Sequence, residues 1–68
     1  MPFIQVSLLE GRSEQQKRAY MKAITDVTVD ILGAAPESVR VVLTEVDPLH
    51  WAVAGEPVME WRAKKSQG

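Results

Sequence analysis

The chain has 68 residues and a mass of 7.6 kDa, with no cysteine and a single histidine, His50. A chain this short buries about 60% of the surface that its unfolded form exposes, and it lacks the residues for disulfides or a structural metal site. Its apolar content of 46% is nevertheless that of a folded domain. We therefore expect one domain over residues 1–68 that gains stability by associating with copies of itself.

Charge and hydropathy limit the partners. Eight basic and nine acidic residues give a net charge of −1, and there is no basic stripe of the kind that binds nucleic acid. Apolar stretches are far shorter than the ~20 residues of a membrane span, and the N-terminus lacks the basic region of a signal peptide. We expect a cytoplasmic protein with neither nucleic acid nor membrane as a partner.

The first predicted element is a strand over residues 3–9. Ile4, Val6 and Leu8 alternate with the remaining side chains, which predicts a strand with one buried, apolar face. Gly11 then breaks the pattern, because glycine adopts the positive φ angles that other residues resist.

A long helix is predicted next. Ser13 followed by Gln16 fits a capping box, and Gly33 suits the left-handed position that ends a helix, so we expect about 19 helical residues. The apolar positions that recur at helical spacing are Tyr20, Ile24, Val27 and Ile31, with Met21 and Thr28 on a neighbouring stripe.

The second predicted strand covers residues 39–46 and is rich in β-branched side chains, which favours burial of both faces. Strand, helix and strand form a βαβ unit, so the two strands should run parallel in an α/β protomer. Residues 50–56 fit a short hairpin. Since two strands under one helix cannot close a core, we expect two copies to form a four-stranded sheet, with further assembly beyond the dimer.

Pro2 is the first candidate for chemistry. Removal of Met1, which a small second residue permits, leaves a proline whose nitrogen is a secondary amine and a true base. An ordinary α-amino group has a pKa near 7.7–8.0, and nearby cations or an apolar wall lower it, so that the neutral amine can carry protons. The alternative is that Pro2 simply begins the strand.

Two arginines are the other candidates. Arg12 directly follows the Gly11 turn, and Arg40 lies in an otherwise apolar strand, where a cation is costly unless it is paired. The guanidinium group binds a carboxylate or keto acid through two parallel hydrogen bonds. An intersubunit salt bridge is the competing interpretation of Arg40.

The motifs in chain order are Pro2, Leu9-Glu10-Gly11-Arg12-Ser13 with Gln16-Lys17, Ser38-Val39-Arg40-Val41, Thr44-Glu45, and His50-Trp51 with Gly55-Glu56. In this order and at these spacings, the chain resembles the 4-oxalocrotonate tautomerase family as far as about residue 56. The resemblance implies a hexamer built as a trimer of dimers, with active sites lined by more than one subunit. It also implies a cofactor-free keto–enol tautomerase that acts on small 2-hydroxy and 2-oxo acids.

The resemblance further implies a role for each matching residue. Pro2, freed of Met1, is the general base. Arg12 holds a distal carboxylate, and Arg40 binds the 2-keto oxygen and the neighbouring carboxylate, stabilising the dienolate charge. Trp51 stands where the family usually has Phe and forms an apolar wall, while Leu9 and Ser38 line the pocket.

Several positions depart from the family pattern. Trp51 is larger than Phe and adds an indole N–H, which alters the pocket. Related dehalogenases and hydratases activate water with a Glu at the position of Val53, so isomerisation is favoured over water addition unless another acid such as Glu56 takes that role. Residues 58–68 lie outside the resemblance, and we expect Trp61 to cover a subunit interface.

Two further hypotheses about the function stay open. A decarboxylase, hydratase or dehalogenase of the same superfamily could use the same Pro2, and a non-catalytic oligomeric module could have kept the fold. His50 has no relay partner in the sequence and is interpreted as structural.

Overall fold

The computed structural model describes residues 1–67, with the side chains of residues 1–65. The elements in chain order are β1 (Phe3–Leu9), α1 (Glu14–Leu32), β2 (Arg40–Val46), β3 (Ala52–Val53), β4 (Glu56–Pro57) and α2 (Val58–Gln67). Short 3-10 turns, Pro36–Ser38 and Pro48–His50, precede β2 and β3. Gly68 lies outside the described residues.

Strands β1 and β2 form a parallel pair, which confirms the predicted βαβ unit. Their register runs from Phe3 opposite Arg40 to Leu9 opposite Val46, so the strands are matched over their full seven residues. Both strands therefore begin at one end of the sheet and finish at the other. This simple consequence of a parallel pair decides where the functional side chains lie.

The ends of α1 match the sequence prediction. Ser13 Oγ accepts from the backbone N–H of Gln16 at 3.1 Å, and Gln16 Oε1 accepts from the backbone N–H of Ser13 at 3.0 Å. Gly33 has φ 68° and donates to the carbonyl of Val29 at 3.0 Å. These two caps confirm a helix of 19 residues, Glu14–Leu32.

The helical face that meets the sheet differs from the predicted stripe. Met21 and Ile24 are half-buried and Thr28 is buried, whereas Val27 and Ile31 are 56% and 73% exposed. Strands lie about 4.8 Å apart, so a pair is too narrow to cover the whole apolar side of a helix about 10 Å wide. The apolar stripe of α1 is therefore only partly covered within the protomer, and Val27 and Ile31 are left exposed.

The predicted hairpin is confirmed, with β3 and β4 antiparallel and paired through Val53 and Glu56. Helix α2 follows directly, in a region where the sequence analysis predicts no element. The N–H of Val58 donates to the carbonyl of Trp51 at 2.8 Å, and Lys64 forms an ion pair with Glu56 at 2.7 Å. These contacts bind α2 to the hairpin, which explains a helix that its own sequence pattern does not reveal.

The protomer leaves much of its apolar surface open. Its radius of gyration is 15.7 Å, whereas a compact domain of this length has about 11 Å. Among the described residues, only Val58 is a buried apolar side chain, while Phe3 and Val42 on the free face of the sheet are 63% and 41% exposed. Such a chain lacks a closed core of its own.

Over the described residues, neither helix has the length and hydropathy that crossing a bilayer requires.

Candidate active site

The predicted site residues fall into two groups at opposite ends of the sheet. Pro2, Ser38 and Arg40 lie where the strands begin, and we call this the Pro2 end. The second group lies where β1 finishes, and we call it the Arg12 end; its members are Leu9, Arg12 and Trp51. A strand advances about 3.3 Å per residue, so the length of β1 separates the two ends by roughly 23 Å.

At the Pro2 end, the first residues of the chain adjoin β2. The carbonyl of Pro2 accepts from the backbone N–H of Arg40 at 3.0 Å, which extends the sheet ladder by one bond. Pro2 is half-buried, whereas Met1 is 92% exposed. Loss of Met1 would therefore remove little packing, and the Pro2 carbonyl would keep its bond to the backbone of Arg40.

Arg40 has a neutral partner in the protomer. Its guanidinium donates to the carbonyl oxygen of Glu37, which lies three residues earlier in the 3-10 turn. In the same turn, Ser38 Oγ donates to the carbonyl of Ala35 at 2.7 Å. Because a carbonyl leaves the guanidinium's charge uncompensated, Arg40 keeps its capacity to bind an anion.

The Arg12 end is fixed by the turn that joins β1 to α1. The N–H of Glu10 donates to the carbonyl of Val46 at 3.1 Å, and Gly11 adopts φ 129°, a conformation that side chains disfavour. Arg12 follows at once and is held between this turn and the cap of α1. The sequence therefore places an exposed guanidinium directly beside the end of β1.

Two cavities adjoin Arg12. One, of about 330 Å³, is lined by Leu8, Arg12, Gln16, Lys17 and Tyr20. The other, of about 200 Å³, is lined by Ser7, Leu8, Leu9, Arg12, Trp51 and Arg62. The second cavity brings together Leu9, Arg12 and Trp51, the three predicted site residues of this end.

Arg62 is a lining residue that the sequence analysis missed. It belongs to α2, beyond the part of the chain in which the resemblance was found. The only sequence signal is a cation within an otherwise mixed tail, and such a signal is too common to single out a site residue.

Three other positions take no part in this cavity. His50 is exposed in its 3-10 turn, where its N–H donates to the carbonyl of Asp47 at 2.8 Å. Glu56 and Trp61 line a different cavity, together with Ala54, Lys64 and Lys65. Glu56 thus lines a different cavity from Arg12, and its carboxylate already binds Lys64.

No single protomer joins the two ends. Pro2, the candidate base, and Arg40 lie where the strands begin, whereas Arg12 and Trp51 lie where β1 ends.

Over residues 1–67, no cluster of three or more His, Cys, Asp or Glu side chains has the arrangement of a metal site.

Comparisons with known proteins identify the family. The family model for tautomerase enzymes matches residues 2–60 and so begins at Pro2. A probable tautomerase of Ralstonia nicotianae is 51% identical over 57 residues, covering 84% of this chain and 81% of the relative. The 2-hydroxymuconate tautomerase of Comamonas testosteroni is 42% identical over 60 residues, with coverages of 88% and 95%.

Solved structures agree. TomN, a 4-oxalocrotonate tautomerase homologue of the tomaymycin biosynthetic pathway, superposes with a TM-score of 0.87 at 45% identity, covering 91% of this chain and 95% of TomN. A heterohexameric 4-oxalocrotonate tautomerase from Chloroflexus aurantiacus gives a TM-score of 0.84 at 32% identity, with coverages of 88% and 97%.

The fold and the relatives together define a small α/β isomerase. The chain belongs to the tautomerase family, and its relatives include 2-hydroxymuconate tautomerases.

Proposed function

We propose that this enzyme interconverts the enol or dienol and keto forms of small 2-hydroxy and 2-oxo acids, without a cofactor, using the Pro2 amine as its base. The observation that carries the proposal is the position of Pro2: it is half-buried beside Arg40, behind a Met1 that is 92% exposed. Processing converts an amide nitrogen into a secondary amine at this point. The 2-hydroxymuconate tautomerases among the relatives support the substrate class.

The reaction requires one proton to move. The Pro2 nitrogen removes the proton of the substrate's 2-hydroxyl group, and the resulting dienolate carries its negative charge on oxygen. The protonated amine then returns the proton to a carbon atom of the substrate. Arg40 stabilises the dienolate oxygen and the adjacent carboxylate. Its guanidinium group donates to the carbonyl oxygen of Glu37, which is neutral, so its positive charge is available to the substrate's anion. Ser38 lines the pocket beside Arg40.

The Arg12 end binds the rest of the substrate. Arg12 holds the distal carboxylate, while Leu9 and Trp51 provide apolar walls around the carbon chain. An apolar wall near the Pro2 amine favours its neutral form, which is the form that accepts a proton.

A complete site on this scheme needs more than one subunit. The two ends of the sheet lie roughly 23 Å apart in one protomer, too far for one small acid to touch both. Exposed apolar side chains on α1 and on the free sheet face provide the surface for association. We therefore propose a homohexamer built as a trimer of dimers, in which the Arg12 end of one chain meets the Pro2 end of another. The heterohexamer formed by a structural relative supports an assembly of six chains.

Subunit complementation tests the shared site. Pro2→Ala and Arg12→Ala chains, each impaired alone, are unfolded together and refolded as mixed oligomers. Random mixing places an intact Pro2 opposite an intact Arg12 in about one site in four, so activity returns to that fraction of the wild-type value. Mixing the folded variants without unfolding is the control. If the refolded mixture shows only the mean of the two variants, each site lies within one chain.

The function itself is tested by following the ultraviolet absorbance of 2-hydroxymuconate and phenylenolpyruvate. We expect the processed wild-type protein to ketonise both well above the buffer rate. A rate equal to that of buffer contradicts the proposal. Release of chloride from a 3-haloacrylate or of CO2 from malonate semialdehyde, without ketonisation, would instead identify a dehalogenase or decarboxylase.

A further inference from the structure

The larger of the two cavities beside Arg12 takes no part in the reaction proposed above. It has a volume of about 330 Å³ and lies between the end of β1, which contributes Leu8, and the first two turns of α1, which contribute Gln16, Lys17 and Tyr20. Leu8 and Arg12 also line the smaller cavity, so the two cavities are neighbours with a common wall. Small-molecule sites commonly have volumes of about 300–1,000 Å³, and the larger cavity falls within that range.

The polar groups of this cavity have hydrogens to donate. The capping box fixes the amide of Gln16: its Oε1 accepts from the N–H of Ser13 at 3.0 Å, which leaves the Nε2 group to donate. The Lys17 ammonium donates to Glu45 Oε1 at 2.9 Å and keeps two further N–H bonds. Arg12 adds its guanidinium, and no acidic side chain of the described residues lines the cavity. Such a lining favours an anion.

The rest of the lining is apolar and aromatic. Leu8 is half-buried, and the Tyr20 side chain, at 44% exposure, lies one turn beyond Gln16 on the same face of α1. An aromatic ring packs favourably against another ring and against aliphatic carbon. The cavity thus offers donors to an anion near the start of the helix and an apolar surface one turn further on. A ligand that uses both parts has a carboxylate and an aromatic ring.

We propose that this cavity binds a small aromatic carboxylate, which is a ligand other than the substrate and acts as an inhibitor. The carboxylate accepts hydrogen bonds from Arg12, Gln16 and Lys17. The ring lies against Leu8 and Tyr20. Because Arg12 lines both cavities, a ligand that engages its guanidinium here competes with a substrate in the neighbouring cavity. The inhibition rests on the proposed function, whereas the binding does not.

NMR titration of isotope-labelled protein with benzoate tests the binding site, because the Gln16 side-chain amide has a resonance of its own. We expect benzoate to shift this resonance. Benzyl alcohol has the ring without the charge and should bind at least about tenfold more weakly, the effect of one lost hydrogen bond to a charged group. Tyr20→Ala should weaken the binding of benzoate and leave that of inorganic phosphate, which has no ring, unchanged.

Gln16→Glu is the decisive variant. Glutamate satisfies the same capping box, so α1 keeps its cap, but a carboxylate replaces the amide donors and repels an anion. We expect the dissociation constant of benzoate to rise at least about tenfold. Gln15→Glu is the matched control, because it adds the same charge to the same turn of α1 at a residue that lines a different cavity. It should leave the dissociation constant unchanged.

Several results would overturn the inference. Loss of benzoate binding in Arg40→Ala, with binding retained in Gln16→Glu, would place the ligand in the reaction site instead. Equal effects of Gln16→Glu and Gln15→Glu, or equal affinities for benzoate and benzyl alcohol, would show that the cavity does not recognise the carboxylate.

Steady-state kinetics on 2-hydroxymuconate test the inhibition. Saturating benzoate should raise the KM of the wild type about tenfold, the effect of losing one charge-assisted hydrogen bond from Arg12, and should leave the KM of Gln16→Glu unchanged. A shift of the Gln16 resonance without a rise in KM would overturn the inhibitory role. If benzoate binds as expected and the wild-type protein does not ketonise 2-hydroxymuconate, the proposed function fails and the binding site stands.

Discussion

Synthetic protein of residues 2–68, with Pro2 first, is expected to ketonise 2-hydroxymuconate at least about 10²-fold faster than the synthetic chain that retains Met1, the usual contribution of a positioned general base. The two proteins carry the same side chains from residue 2 onward. They differ at the Pro2 nitrogen, which is a secondary amine in one and an amide without useful basicity in the other. Initial rates from the ultraviolet absorbance give the comparison.

The comparison has a structural control. Met1 is 92% exposed, so both proteins should give the same circular dichroism spectrum and the same mass by size-exclusion chromatography with light scattering. Pro2→Ala, whose terminal nitrogen is a primary amine, should also lose activity. Equal rates for the 67-residue and 68-residue proteins, with equal assembly, would show that the Pro2 nitrogen is not the base.

Arg40→Ala is expected to lower kcat about 10² to 10³-fold, the range found when one donor to a developing oxyanion is removed. In the protomer its identified partner is the Glu37 carbonyl, a neutral group, so the substitution breaks no identified ion pair within the chain. The oligomeric mass should stay unchanged. Steady-state kinetics on 2-hydroxymuconate, together with light scattering, separate the effect on turnover from the effect on assembly.

The control for Arg40 is Arg18→Ala. Arg18 pairs with Glu14 at 2.9 Å on the outer face of α1, and both side chains are more than three-quarters exposed. Its removal should cost about 0.2–0.5 kcal/mol of stability and leave kcat unchanged. Collapse of Arg40→Ala to monomers would support the alternative that Arg40 forms an intersubunit salt bridge.

Local chemistry explains why so much of the protomer is predictable. The Ser13 capping box and the left-handed Gly33 each depend on neighbours in sequence, and both ends of α1 fall where those residues place them. Alternation in β1 likewise depends on a local period of two. The βαβ topology follows from element order, because a long helix between two strands favours a parallel pair.

Other features depend on contacts between distant parts of the chain. Tyr20, Val27 and Ile31 are apolar at helical spacing, but a two-stranded sheet cannot cover them all, so their exposure depends on the width of the sheet. Helix α2 has a weak apolar pattern and is held by the Val58 bond to Trp51 and the Lys64 pair with Glu56. Neither contact is visible in a sequence window.

The sequence by itself determined the βαβ protomer, the tautomerase resemblance and the identities of Pro2, Arg12, Arg40 and Trp51 as candidates, because each depends on local periodicity or on ordered motifs. The tertiary structure decided how those candidates are distributed. Parallel pairing puts Pro2 and Arg40 at one end of the sheet and Arg12 with Trp51 at the other. It also decided that Arg62 lines the same cavity as Arg12, since the docking of α2 on the hairpin brings these two residues together.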